Sequence, residues 1–276
     1  IPMAVPLGDA GLMAMLLQHA GSEHRDCDNY HHAIELLVAA LALVPDVEQA
    51  IPLRASIKKI LAITFRDVFG PYKSEVLQLL EEARADWVQL KNEGQEANVL
   101  QHIGGVYIQT GRYAEADGIL QEALRKARAA YNEQLVGWIL EDMADLEIER
   151  NDWGTALELT RQARRKAESV GDREAEADTW VTEARVLLRM GQVEDALAAA
   201  EKALALYTDN HNLRRTIRAR RHIAKVLLKM ECPGDAVTVL EKAMDTAARL
   251  DLRCDQALLH LDLGEIELQR RNYGLA

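Results

Sequence analysis

Gly111, Asn151, Gly191, Glu231 and Arg271 stand 40 residues apart, and each is followed by the same spacing of residue types. Two residues on come Tyr113, Trp153, Val193, Pro233 and Tyr273; five on come Ala116, Ala156, Ala196, Ala236 and Ala276. Twelve on come Ala123, Ala163, Ala203 and Ala243. Five phased copies of one spacing mean a repeated supersecondary unit, in which each copy buries its apolar face on its neighbours and no central core has to grow. For such a chain the functional question shifts from a reaction to a partner.

The unit is helical. In the clearest copy, Leu100, Ile103, Gly104 and Tyr107 follow an i, i+3, i+4, i+7 spacing, one stripe of a helix. Gln109-Thr110-Gly111-Arg112 breaks the stripe, with Gly111 suited to a helix C-cap of positive φ. Tyr113, Ala116, Leu120, Ala123, Leu124 and Ala127 then share one face of a second helix. Small residues at Gly104, Ala116 and Ala123 leave room for two antiparallel helices to cross closely. Six prolines in 276 residues and an abundance of Ala, Leu, Glu, Arg and Gln agree with an all-α chain.

This pattern resembles the tetratricopeptide repeat (TPR) family: a small residue in the first helix, Gly at the turn, then an aromatic and two alanines in the second. The small position is Gly104, Ala144, Ala184, Ala224 and Gly264. Earlier copies are rougher. Tyr30, Ala33, Leu37, Ala40 and Pro45 match well, whereas a copy around Leu61 to Leu90 keeps Gly70, Tyr72, Leu80 and Ala83 but carries Pro71 at the turn. The resemblance implies an all-α, right-handed α-solenoid of about seven antiparallel helix pairs. It implies a single superhelical domain over residues 1–276, with repeats near 12–46, 57–92, 97–132, 137–172, 177–212 and 217–252 and a partial one at 257–276. The usual period is about 34 residues, so the 40-residue period here predicts longer helices and loops; in this it is similar to the Pins/LGN polarity adaptors and to TPR arrays of bacterial signalling proteins. Glu147 and Glu267 at the position of Tyr107, and Pro233 at the aromatic position, predict local irregularity.

The motif search is negative for nucleotide loops, zincin helices, nucleophile elbows and CxxC, so neither an enzyme nor a cofactor is expected. His24, Cys27, His31 and His32 cluster without a metal-ligand spacing and read as turn residues. Cys27, Cys232 and Cys254 are no disulfide framework, which suits a reducing, cytoplasmic setting. A net charge of −11 argues against direct binding of nucleic acid or acidic membranes. The first residues, Ile1 to Pro6, have neither a basic n-region nor an initiator methionine and read as the start of a fragment; the incomplete last repeat suggests further sequence or self-association.

The family resemblance places a concave groove on the first (A) helix of each repeat. Its positions are Asn98, Gln101 and His102 in the third repeat and Trp138, Glu141, Asp142, Asp145, Ile148 and Glu149 in the fourth. They are Arg185 and Arg189 in the fifth, and Arg218, Arg221, His222, Lys225, Leu228 and Lys229 in the sixth. Residues 213–230 hold seven Lys or Arg and no acid, in a chain of net charge −11. Two explanations stand: a site for an acidic partner segment, or a solvated basic face paired with acids of adjacent second (B) helices. The expected function is a scaffold holding a protein or peptide partner in the groove; the alternative is a sensory TPR domain of a larger signalling or transcription-regulating protein.

If the repeat phase is right, Ala196 lies at a helix crossing, and Ala196→Leu overpacks it. The expected cost is roughly 1–3 kcal/mol, read as a lower Tm; an unchanged melt contradicts the phase.

Overall fold

The computed structural model describes residues 8–26 and 29–273, with side chains through residue 25 and from residue 29 through residue 268. Cys27 and Ala276, and the side chains of Arg271 and Tyr273, lie outside this range. Among the described residues all regular structure is helical: α1 (Gly8–Asp26), α2 (Tyr30–Leu43), α3 (Ile51–Phe69), α4 (Ser74–Gln89), α5 (Glu93–Gln109), α6 (Tyr113–Ala129), α7 (Glu133–Glu149), α8 (Trp153–Val170), α9 (Arg173–Arg189), α10 (Val193–Asp209), α11 (Leu213–Lys229), α12 (Pro233–Arg249) and α13 (Arg253–Tyr273), with a short 3-10 turn at Glu48–Ala50. The chain falls into two compact units, through Asp142 and from Met143.

Two 17-residue helices and two three-residue links make one 40-residue period, as in α5 and α6. The extra length relative to a short TPR therefore goes into the helices, each about 25 Å long, and not into the loops. The links are built alike. Lys91, Gly111, Tyr131, Asn151, Gly171, Gly191, His211, Glu231 and Asp251, spaced 20 apart, all have positive φ, from 50° to 79°. At each, the following N–H reaches back five residues, as Arg112 N–H to the Tyr107 carbonyl (2.8 Å), and the left-handed residue reaches back three, as Gly111 to Ile108 (3.0 Å). This is the Schellman arrangement, which satisfies carbonyls that a helix end leaves bare. The residue after it caps the next helix. Asn92, Asn132, Asp172 and Asn212 accept the backbone N–H of Gln95, Leu135, Ala175 and Arg215 at 3.0–3.1 Å.

Within a pair the helices cross at the small residues. A Cβ on Gly104 would stand 2.5 Å from Leu120 Cδ2. Gly21, unrecognised in the sequence as the first copy of this position, meets Leu37 Cγ at 2.8 Å in the same way. Ala116, Ala123, Ala156, Ala196, Ala203, Ala236 and Ala243 are fully buried. In the first unit α1 packs on α2, α3 on α4 and α5 on α6, and Leu37, Ala40, Ile57 and Leu61 join successive pairs. In the second unit α9–α10 and α11–α12 pair, with α8 against α9, α10 against α11 and α12 against α13. A helices are flanked on both sides and bury more: α9 buries Ala177, Thr179, Val181, Thr182, Glu183, Ala184, Val186 and Leu187, whereas α10 buries Ala196, Ala199, Ala200, Ala203 and Tyr207.

Three expectations need correction. Tyr72 does not take the aromatic position: Gly70 to Lys73 form a longer link, Tyr72 is 77% exposed, and Lys73 sits over the Phe65 and Phe69 rings at 4.6 and 4.0 Å. Pro233 causes no irregularity, because it is the first residue of α12, where its missing N–H has no helical partner to lose. Glu147 likewise leaves α7 at 17 residues and pairs with Arg150 at 2.8 Å.

A Cβ on Gly111 would meet nothing within 4 Å, so Gly111→Ala adds backbone strain alone. It should cost about 1 kcal/mol, and Glu231→Gly at the equivalent link should recover about as much. Chemical denaturation giving the same sign for both would contradict the left-handed link geometry.

Candidate functional site

In the second unit α11 lies against both α9 and α13, so the A helices present a continuous face. The predicted cations gather on it. Arg185, Arg218, Arg221 and Lys225 all surround His222, whose imidazole is pushed down to about 3, first by burial and then by these four charges. His222 is therefore neutral, a donor or acceptor between cations.

Most of the arginines are paired, and with acids on neighbouring A helices rather than the B helices the sequence suggested. Arg185 meets Asp145 at 3.1 Å. Arg215 meets Asp178 at 2.9 Å and Glu174 at 3.2 Å, and Arg218 lies 3.7 Å from Asp178. Arg221 grips Asp262 through two nitrogens, which raises its pKa. The partners are 37 to 41 residues apart in sequence. Opposite charges one period apart were thus a readable signal that sequence inspection missed. Arg189, Lys225 and Lys229 are exposed and form no ion pair among the described residues. Arg220, half-buried, reaches α12 and donates to Thr216 and Thr246 at 3.2 Å.

The remaining predicted groove residues divide between the units. Asp145, Ile148 and Glu149 belong to the second. In the first, Gln101 donates to Asp142, and Glu141 is half-buried. Trp138 is 37% exposed, while Trp87 is buried. Asn98 accepts from Lys59 Nζ at 2.6 Å. His102 is held neutral, pushed down to about 3 by burial and then by Lys59, Arg66 and Arg25. His31 and His32 turn to Glu35, at 3.6 and 3.2 Å, and the rings of His24 and His32 meet edge-on.

A second cluster carried no sequence signal. Buried Glu183 binds both Arg161 and Arg164, and the Arg164 guanidinium lies 3.3 Å from the Trp180 ring centroid, with Lys202 4.3 Å from the same ring. Arg161, Trp180, Glu183 and Lys202, with Leu157, Leu187, Met190 and Ala199, line a cleft of about 510 Å³ between α8, α9 and α10. Among the buried side-chain atoms of the described residues, Arg164 Nε is left without a hydrogen-bond partner.

A family model for the tetratricopeptide repeat matches residues 95–169, 135–209 and 175–249. No curated protein matches. Among solved structures, a Rap protein complexed with Competence and Sporulation Factor superposes with TM-score 0.70 at 14% identity, covering 94% of this chain and 76% of that one. Aspartyl phosphate phosphatase F from Bacillus subtilis gives 0.67 at 13%, covering 86% and 63%. A signal transduction ATPase with a tetratricopeptide repeat sensor, from Pyrococcus horikoshii, gives 0.64 at 15%, covering 93% and 42%. The chain thus spans less than two thirds of the last two. At these identities the likeness is one of fold.

Both half-buried histidines should make the protein acid-sensitive. Each has a folded pKa below the usual value near 6.5. Below pH 6.5 the unfolded chain takes up protons that the folded chain refuses, so stability falls as pH drops toward about 3, by roughly 1 kcal/mol per histidine per unit. The double variant His102→Gln with His222→Gln should lose less Tm than wild type between pH 6.5 and 4.5; equal losses contradict the burial.

Proposed function

Since the chain belongs to the tetratricopeptide repeat family, a family of protein-interaction repeats, we propose that the A-helix face of the second unit holds an acidic segment of a protein partner. The carrying observation is the row of exposed, unpaired cations. Arg189, Lys225 and Lys229 protrude from a face whose arginines are already fixed on acids one repeat away. Lys225 and Lys229 are one turn apart on α11 and reinforce each other's field. The held arginines supply rigidity: a face ordered before binding loses little entropy on binding. Neutral His222 lets a cationic cluster exist there without a further buried charge. Nothing in the arrangement calls for catalysis, and the chain acts as a binding module.

A second reading is a sensor module of a larger signalling protein. The likeness in fold to a signal transduction ATPase with a tetratricopeptide repeat sensor supports it. A small cognate factor that binds the isolated chain more tightly than any acidic protein segment would favour it.

The charge reversal Arg189→Glu, Lys225→Glu and Lys229→Glu separates binding from folding, because it breaks no ion pair among the described residues. A labelled glutamate-rich peptide should bind wild type, more weakly as salt is added, and at least about tenfold more weakly to the variant, while helicity and Tm hold. Equal binding of the two proteins would exclude this face.

A further inference from the structure

The first unit holds a cationic cluster that the second unit's site does not explain. Lys59 and Arg66 lie two turns apart on α3 and face Asn98 and Gly105, two turns apart on α5, with His102 between them. The Lys59 ammonium, half-buried, donates to Asn98 Oδ1 at 2.6 Å, and no carboxylate among the described residues reaches it. Among the described residues Arg66 has one acid within ion-pair distance, Asp67 at 3.6 Å, which Arg25 holds more closely at 3.3 Å. Gly105 leaves open the space beside Arg66, whose Nη1 would be 3.8 Å from a Cβ there. Burial lowers the Lys59 pKa, and the three cations help keep His102 neutral. A half-buried ammonium without a counter-charge is costly unless something completes it.

We propose that this cluster is an oxyanion site that takes a phosphate group, gripped by Lys59 and Arg66 and contacted by the Asn98 amide and the His102 imidazole, with Arg25 adding its field. The donors come from two helices and from several directions, which suits the three acceptor oxygens of a phosphate better than the two of a planar carboxylate. Asn98 Oδ1 is committed to Lys59, so its NH₂ is the end left to donate. Neutral His102 offers one N–H at no charge penalty. The site is independent of the acidic-segment face proposed for the second unit.

The test uses the full 276-residue chain. Its histidine resonances are followed by NMR during titration with inorganic phosphate, with acetate at matched ionic strength, and with a short phosphoserine peptide and its unphosphorylated form. His102 should shift saturably with phosphate or the phosphopeptide, and at least about tenfold more weakly with acetate or the bare peptide. The tighter of the two phosphate probes identifies whether a free or an esterified group is the ligand. Lys59→Met should abolish the shift and raise Tm, since it removes a buried uncompensated charge; Arg66→Gln should weaken binding with Tm unchanged. The triple charge reversal in the second unit should leave the shift intact. Failure of both phosphate probes, equal binding of acetate, or a Lys59→Met protein that binds as wild type would overturn the assignment.

Discussion

The left-handed residue at each helix end is the constraint on which the rest depends. A 17-residue helix must be reversed within three residues, and the Schellman link does this by placing one residue per link at positive φ. Three of the phased links use glycine, at Gly111, Gly171 and Gly191; the others accept strain at Lys91, Tyr131, Asn151, His211, Glu231 and Asp251. With the reversal set, the helices return antiparallel, the small residues face each other, and Gly104 comes within van der Waals reach of Leu120.

Identical links put equivalent residues of successive A helices side by side. That is why Asp145 meets Arg185, Asp178 meets Arg218 and Arg221 meets Asp262. Partly exposed pairs of this kind are each worth about 1 kcal/mol or less. Their larger effect is to fix long arginines in place on the face and leave selected cations to solvent. In the first unit the same geometry places Lys59 against Asn98 instead of an acid, so a single residue type at one repeat position leaves a lysine without a counter-charge among the described residues.

The repeat, its helical class and the crossing alanines were legible from the chain because they rest on local spacing: Ala116, Ala156, Ala196 and Ala236 are buried as the phase requires. The family followed from the same residues. Other local signals were present and overlooked, among them Gly21 at the first crossing and the Asn or Asp caps at residues 92, 132, 172 and 212. The second repeat misled, because Tyr72 lies two residues before Ser74, where the helix begins, and a four-residue link looks in sequence like a three-residue one with an aromatic after it.

The sequence by itself determined the period, the helix pairs and which residues lie on the A-helix face, since each follows from backbone spacing along one chain. Only the tertiary structure decided the charge state of that face. Whether Arg221 is satisfied, whether His222 stays neutral and whether Lys59 finds an acid depend on side chains about 40 residues away, brought into contact by the stacking of helices. Coulomb attraction and desolvation act through space, and an arginine has the same letters whether an aspartate or open water stands opposite it.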